Sequence, residues 1–306
     1  MAIFIVSFVM RHIHVRERHY SPTAGELANR KRGQAVPGRI ARRSDQISPI
    51  ERESADVIVD CHIHLYGERD RVREQTDDLL RYGDRLGIEK FIVCLGPQLI
   101  HRPDAERIEA DTEYVLAAME HAPGRIEGLV YGSGNHVDKS LELMERYIAN
   151  GPMRGVKLWV CRRCSDPELD PIAEYAAELD VPILQHSYWR CGEPLQGETE
   201  PHDMVALARR HPRTRFLMAH CGGNWEKGIR AVAHQPNVSV DVCGGDPEAG
   251  QTEYGVEYLG ADRVLYGSDA SGRSLASQLA KVIGAEISDA DRRRVLGDNA
   301  VAMFGL

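Results

Sequence analysis

No stretch of this 306-residue chain is apolar for the roughly 18–20 residues that a membrane-spanning helix requires. The opening run, residues 2–10, is apolar. No basic residue precedes it and no small-residue cleavage site follows it, so neither a membrane span nor a secretory leader is expected. A disulfide framework is also missing. The seven cysteines (Cys61, Cys94, Cys161, Cys164, Cys191, Cys221 and Cys243) are odd in number and lack scaffold spacing. Reduced thiols in a cytoplasmic protein are the simpler expectation. Cys161-Arg-Arg-Cys164 has the spacing of a redox motif, but no second pair completes a zinc ribbon, and it reads as a loop with two thiols. Nor is there an excess of positive charge. The formal net charge is −8, and neither nucleic acid nor membrane is an expected partner.

What is present suits one large domain. Hydrophobic residues make up 42% of the chain, enough for a sizeable core, and charged residues 27%. The charge is uneven: residues 1–52 carry ten Arg and Lys against four Asp and Glu, a balance of +6, which leaves the remainder near −14. Residues 1–55, rich in Arg, Ser, Gly and Pro without a sustained apolar period, are expected to form a basic, mobile extension. For that arm a solvated tail is a plainer reading than contact with nucleic acid or membrane.

From residue 56 short apolar runs alternate with longer amphipathic ones. Strands are expected at 56–60, 90–95, 126–131, 155–160, 181–186, 215–220, 238–242 and 263–267. Helical stretches lie between them, among them 71–86, 104–121, 139–150 and 170–179. Each expected strand begins 23–36 residues after the last. Eight strand–helix units over residues 56–306 predict an α/β fold, a (β/α)8 TIM barrel. The runner-up, a doubly wound open sheet, would show a glycine-rich fingerprint after its first strand, and none is there.

The residues able to bind a metal fall at the ends of these strands. His62 and His64 follow the first strand two residues apart, so that on extended chain they project to one side. His186 ends the fifth strand, His220 the sixth, and Asp269 closes the eighth. These are the C-terminal strand ends, where barrel active sites sit. One histidine at a strand end is ordinarily a hydrogen-bonded structural residue. The pair His12 and His14 shows the same spacing inside the basic tail, with no strand around it. Five such residues at four matching strand ends point to a metal site. Imidazole with carboxylate suits zinc and its neighbours better than calcium or magnesium.

These residues carry a resemblance. Asp60-Cys61-His62-Ile63-His64, Gly155-Val156-Lys157, His186, Met218-Ala219-His220, Leu265-Tyr266-Gly267-Ser268-Asp269 and the closing segment from Gly297 to Leu306 resemble the amidohydrolase superfamily. They are most similar to its amidohydrolase-related branch, which includes enzymes of the aminocarboxymuconate-semialdehyde decarboxylase type. The resemblance covers residues 56–306. It implies that His62, His64, His186 and Asp269 hold the metal, that Asp269 doubles as general base, and that His220 is a catalytic hydrogen-bond donor or acid. It leaves Lys157 open between a carboxylated bridge of two metals, a partner for a substrate carboxylate and a structural ion pair with an Asp or Glu of the lumen. One divalent metal, zinc by its donor set, is favoured over two.

The activity implied is hydrolysis of an amide, ester or lactone carbon of a small molecule by metal-activated water. The rivals are a non-oxidative decarboxylase on the same site and a barrel that binds a small molecule without turnover. Arg190 and Trp189, in the loop after His186, are candidate substrate-binding residues, Arg190 because a guanidinium matches a carboxylate in a fork. Cys61, Cys221 and Cys243 are read as small buried residues, Asp241 is assigned no role, and a homodimer is compatible with the chain.

Overall fold

The computed structural model describes residues 57–245 and 248–306. The basic extension, the His12/His14 pair included, lies outside the described residues. Within them, strands and helices alternate: β1 (Ile58–Ile63), α1 (Val72–Leu86), β2 (Ile88–Val93), α2 (Ala105–His121), β3 (Ile126–Gly128), β4 (Val130–Gly132), α3 (Val137–Met144), β5 (Val156–Leu158), α4 (Asp170–Glu178), β6 (Ile183–Gln185), α5 (Pro201–Arg210), β7 (Phe216–Met218), α6 (Trp225–Val232), β8 (Val238–Asp241), α7 (Gln251–Leu259), β9 (Val264–Leu265), α8 (Leu275–Ile283), α9 (Asp289–Arg293) and α10 (Asn299–Phe304). Every strand pair is parallel.

The third expected strand is two short ones, β3 and β4, split at Leu129. The split does not open the sheet. Leu129 donates its N–H to the Val93 carbonyl on one side (3.1 Å), and Val130 donates to the Gly155 carbonyl on the other (2.9 Å). The first and last strands close the ring. Cys61 N–H donates to Tyr266 O (3.1 Å), and Ser268 and Asp269 N–H both donate to His62 O (3.2 and 2.8 Å). Counting β3 and β4 as one, eight strands form the (β/α)8 barrel.

Apolar strand faces are buried, as a sheet covered by lumen side chains inside and helices outside requires. The helices begin where short polar side chains can accept the first free N–H groups: Asp104 from Arg107, Asn224 from Lys227 and Ser274 from Ser277. Among the described residues no helix is long and apolar enough to cross a membrane.

Two local differences from the sequence reading matter for the site. β1 runs to Ile63, so His62 stands inside the strand rather than after it. Hydropathy falls at Asp60-Cys61-His62, although the backbone stays extended because its lumen-facing polar groups find partners there. β7 stops at Met218, and the chain turns at once through His220 (φ 61°) and Cys221 (φ 46°), both in the left-handed region. Asp269 (φ 55°) does the same after β9. Non-glycine residues held there cost about 1–3 kcal/mol each, and such strain gathers at functional sites.

Candidate active site

His62, His64, Lys157, His186, His220 and Asp269 line one cleft of about 190 Å³ at the C-terminal rim of the strands. A larger groove of about 540 Å³ lies at the opposite end. Its two arginines are already committed, Arg154 to Glu127 (3.0 Å) and Arg215 to the Met303 carbonyl (2.7 Å).

The hydrogen bonds around the histidines fix which nitrogens are free. His62 Nδ1 lies 3.0 Å from Asp241 Oδ2. His64 Nδ1 lies 2.8 Å from the Cys94 carbonyl. Both partners accept, so both Nδ1 atoms carry the proton and both Nε2 atoms face the lumen with a lone pair. A carboxylate or carbonyl behind the imidazole is the arrangement that orients metal-binding histidines. His62 Nε2 receives the ammonium of Lys157 at 2.9 Å. His64 Nε2 lies 3.3 Å from Asp269 Oδ1. Two lone-pair donors at that distance repel unless a cation or a proton lies between them. Without a metal the proton takes the place. Burial opposes the charge on His64, but Cys94 and Asp269 outweigh it and raise its pKa to about 10. Burial likewise opposes the charge on Asp269, yet the His64 hydrogen bond and the surrounding imidazoles hold its carboxyl far below the usual range. The donor chemistry therefore fits a divalent cation.

The expected ligands do not form one tight cluster. Among the described residues, the groups whose donor atoms lie within 4.8 Å of one another are His62–His64–Cys94, His62–His220–Asp241–Cys243 and, at the start of α5, Glu200–His202–Asp203. His186 stands apart. Its Nε2–H donates to Glu198 (3.0 Å), leaving Nδ1 as the free nitrogen, and its ring centre is 5.2 Å from that of His220. Burial lowers the pKa of His186, and lowers that of His220 much further, so both rings are neutral at pH 7.

The residues flagged for substrate separate. Arg190 lines the cleft, but its guanidinium forks onto Glu198 at 2.6 and 2.8 Å. Trp189 lies outside the cleft: it is 38% exposed, and Lys227 sits 4.8 Å over its ring. Its neighbour Tyr188 lines the cleft instead, stacked on His186 with an interplanar angle of 6°. Tyr66 stacks on His64 across the way at 13°. Trp159, His101 and Arg273 complete the polar and aromatic wall. Lys157 and Arg273 have no carboxylate partner among the described residues.

Several of these groups were unremarkable in the sequence. Asp241 is fully buried and holds both His62 Nδ1 and the His220 N–H (2.7 Å). Asp60 Oδ1 accepts the N–H of His62 (3.2 Å) and of Ser268 (3.0 Å), tying β1 to β9 beneath the site. The one available signal was alternation: Asp60, His62 and His64 share one side of a strand. Of the thiols read as inert, Cys61 and Cys221 fit that description, whereas Cys243 Sγ touches both His62 and His220.

The profile of the family described as amidohydrolase matches residues 59–306. The chain belongs to the amidohydrolase family. It is accordingly an enzyme. Solved structures share the fold. 5-Carboxyvanillate decarboxylase from Sphingomonas paucimobilis is similar at a TM-score of 0.67 and 14% identity, over 82% of this chain and 99% of that chain. A dihydroxybenzoic acid decarboxylase from Polaromonas, with bound manganese and 2-nitroresorcinol, is similar at 0.63 and 15%, over 82% and 97%. 4-Oxalomesaconate hydratase from Rhodopseudomonas palustris is similar at 0.62 and 13%, over 81% and 96%. Comparison with curated protein sequences gives no match.

Proposed function

We propose that this amidohydrolase-family enzyme is a metal-dependent non-oxidative decarboxylase of a small, planar carboxylate. The observation that carries the reading is the pair of cleft cations, Lys157 and Arg273, which have no carboxylate of their own among the described residues. A buried ammonium is costly without an anion, and a substrate carboxylate supplies one. Tyr66 and Tyr188, parallel to His64 and His186, line the same cleft and give it an aromatic character suited to a ring-bearing substrate. The similar decarboxylases support the same class.

His62 Nε2, His64 Nε2, the free nitrogen of His186 and Asp269 are the groups that would hold the metal, one ion, manganese or zinc. When bound, the metal would fix a substrate oxygen and stabilise negative charge that develops in the ring. Arg273 and Lys157 orient the carboxylate. The carbon–carboxylate bond breaks with its electron pair left on the ring carbon, carbon dioxide departs, and the new C–H bond forms with a proton that His220 or Asp269, both in the basic form at pH 7, first accepts from water or a substrate hydroxyl. The free thiols of the described residues, six of them buried, suit a reducing compartment, and we place the enzyme in the cytoplasm.

Hydrolysis of an amide, ester or lactone is the second reading. The observation that favours it is Asp269, an ionised carboxylate beside the candidate ligands and able to accept a proton from water. The test is to incubate the manganese- or zinc-loaded protein with hydroxybenzoates and, in parallel, with aryl esters and lactones. Carbon dioxide release from the first set supports the lyase. Turnover of the second set alone replaces it with the hydrolase.

A further inference from the structure

Cys243 lies two residues beyond the strand position of Asp241, in a loop fixed from both sides. The buried Lys281 ammonium donates to the Val242 and Gly244 carbonyls, each at 2.9 Å. Thus held, the Cys243 sulfur is 2.9 Å from Asp241 Oδ1, 3.1 Å from His62 Nδ1 and 3.2 Å from His220 Nδ1. All four residues are buried.

The donors and acceptors can be assigned in turn. Asp241, ionised, only accepts. Its Oδ2 takes the His62 Nδ1 proton, and its Oδ1 takes the backbone N–H of His220. The thiol proton goes to the nearest anion, Asp241 Oδ1. Sulfur is then left with its lone pairs, and among the described residues it is the one hydrogen-bond partner of His220 Nδ1. A neutral His220 satisfies that contact by placing its proton on Nδ1. We propose that Cys243 is a positioning residue: its thiol relays the Asp241 carboxylate to His220, holds the imidazole as the Nδ1–H tautomer, and presents a bare Nε2. Nothing in the sequence assigned this cysteine a role. One carboxylate thereby sets the tautomers of two histidines, His62 directly and His220 through sulfur.

The inference rests on the reading of His220 as the proton-handling residue. Its readout is the state of the ring rather than turnover, so either can fail without the other. The experiment is long-range 1H–15N correlation on the full chain, histidine-labelled and loaded with zinc, for wild type, Cys243→Ser and Cys243→Ala. Metal content is measured on the same samples. His220 in wild type is expected to show a protonated Nδ1 and an unprotonated Nε2. Serine, which can relay the same bonds, is expected to keep that pattern. Alanine is expected to lose it to a tautomer mixture, with zinc content unchanged. A proton on Nε2 in wild type overturns the proposal, and that spectrum requires no variant to fold. An unchanged tautomer in Cys243→Ala also overturns it. Loss of zinc in Cys243→Ala would make the thiol a ligand instead.

Discussion

His186 donates its Nε2–H to Glu198 at 3.0 Å, across twelve residues of loop. The carboxylate that receives it is buried and gripped from behind by the Arg190 fork and the Leu195 N–H (3.0 Å). A neutral imidazole has one proton, and Glu198 decides where it sits. The other nitrogen of His186 is thereby left as a lone pair. Arg190 therefore acts on the site through Glu198, which changes the meaning of its place in the cleft.

This relationship gives the first prediction. Burial raises the pKa of Glu198, but the hydrogen bonds from His186, Arg190 and Leu195 prevail and lower it to about 2. A carboxyl with a depressed folded-state pKa adds stability that is full above its unfolded value, about 4.3, and lost as pH falls toward the folded one. Glu198→Gln is expected to lower stability at pH 7 by about 2 kcal/mol, or roughly 5 °C in melting temperature. The gap to wild type should narrow at pH 3.5. A gap of equal size at both pH values in thermal melts would show that Glu198 is not held ionised.

The second prediction concerns the metal. Elemental mass spectrometry of protein expressed in metal-replete medium is expected to find about one divalent ion per chain. It should be absent from the His62→Ala/His64→Ala variant, while circular dichroism shows the fold retained. Two ions per chain would return Lys157 to the role of a carboxylated bridge. A metal-free wild type after such expression would remove the proposed chemistry.

Much of this architecture was legible because a barrel repeats. Alternating apolar and amphipathic runs give strand and helix at each turn of the repeat, and the expected helices at 71–86 and 104–121 correspond closely to α1 and α2. The rim was legible too, because five metal-capable side chains recur at four strand ends, and the structure brings all five to one cleft. Single residues were harder. Asp241 is one carboxylate after an apolar run, and its partners lie 179 and 21 residues away, one in β1 and one in the turn after β7. Glu198 belongs to a loop with no periodicity to read. Side-chain direction in the loop after His186 was not legible either: Tyr188 lines the cleft and Trp189 does not. Tyr188 N–H is bound to Thr199 O and Trp189 N–H to Gly222 O, so the two side chains leave the backbone on different sides.

Substrate recognition gives the third prediction. Arg273→Gln removes a cleft cation that is exposed and free of carboxylate partners among the described residues. A charge-assisted hydrogen bond contributes about 1.5–3 kcal/mol, so the dissociation constant for a hydroxybenzoate, measured by calorimetry on metal-loaded protein, should rise roughly 10–100-fold. A neutral phenol of the same shape should bind the variant and wild type alike. Equal weakening of both ligands would mean that Arg273 shapes the cleft rather than pairing with an anion.

The last prediction separates strain from contact at His220. Gly244 and Gly245 both adopt the left-handed region, at φ 71° and 62°. An alanine at either position meets a similar backbone penalty, about 1 kcal/mol or somewhat more. Their surroundings differ. A Cβ on Gly244 would stand 2.5 Å from His220 Nδ1, whereas one on Gly245 would meet nothing within 4 Å among the described residues. His220 cannot easily give way, because its backbone N–H is bound to Asp241 and its ring nitrogen to Cys243. Gly244→Ala should therefore push the imidazole out of place and lower turnover by roughly 100-fold, the scale reported for small misplacements of catalytic groups. Gly245→Ala should lose a similar amount of stability and retain turnover within a few-fold. Both variants should keep their metal, since His220 is not among the proposed ligands. Matched losses of activity in the two variants would trace the effect to the loop backbone and remove the argument that the missing side chain at Gly244 makes room for His220.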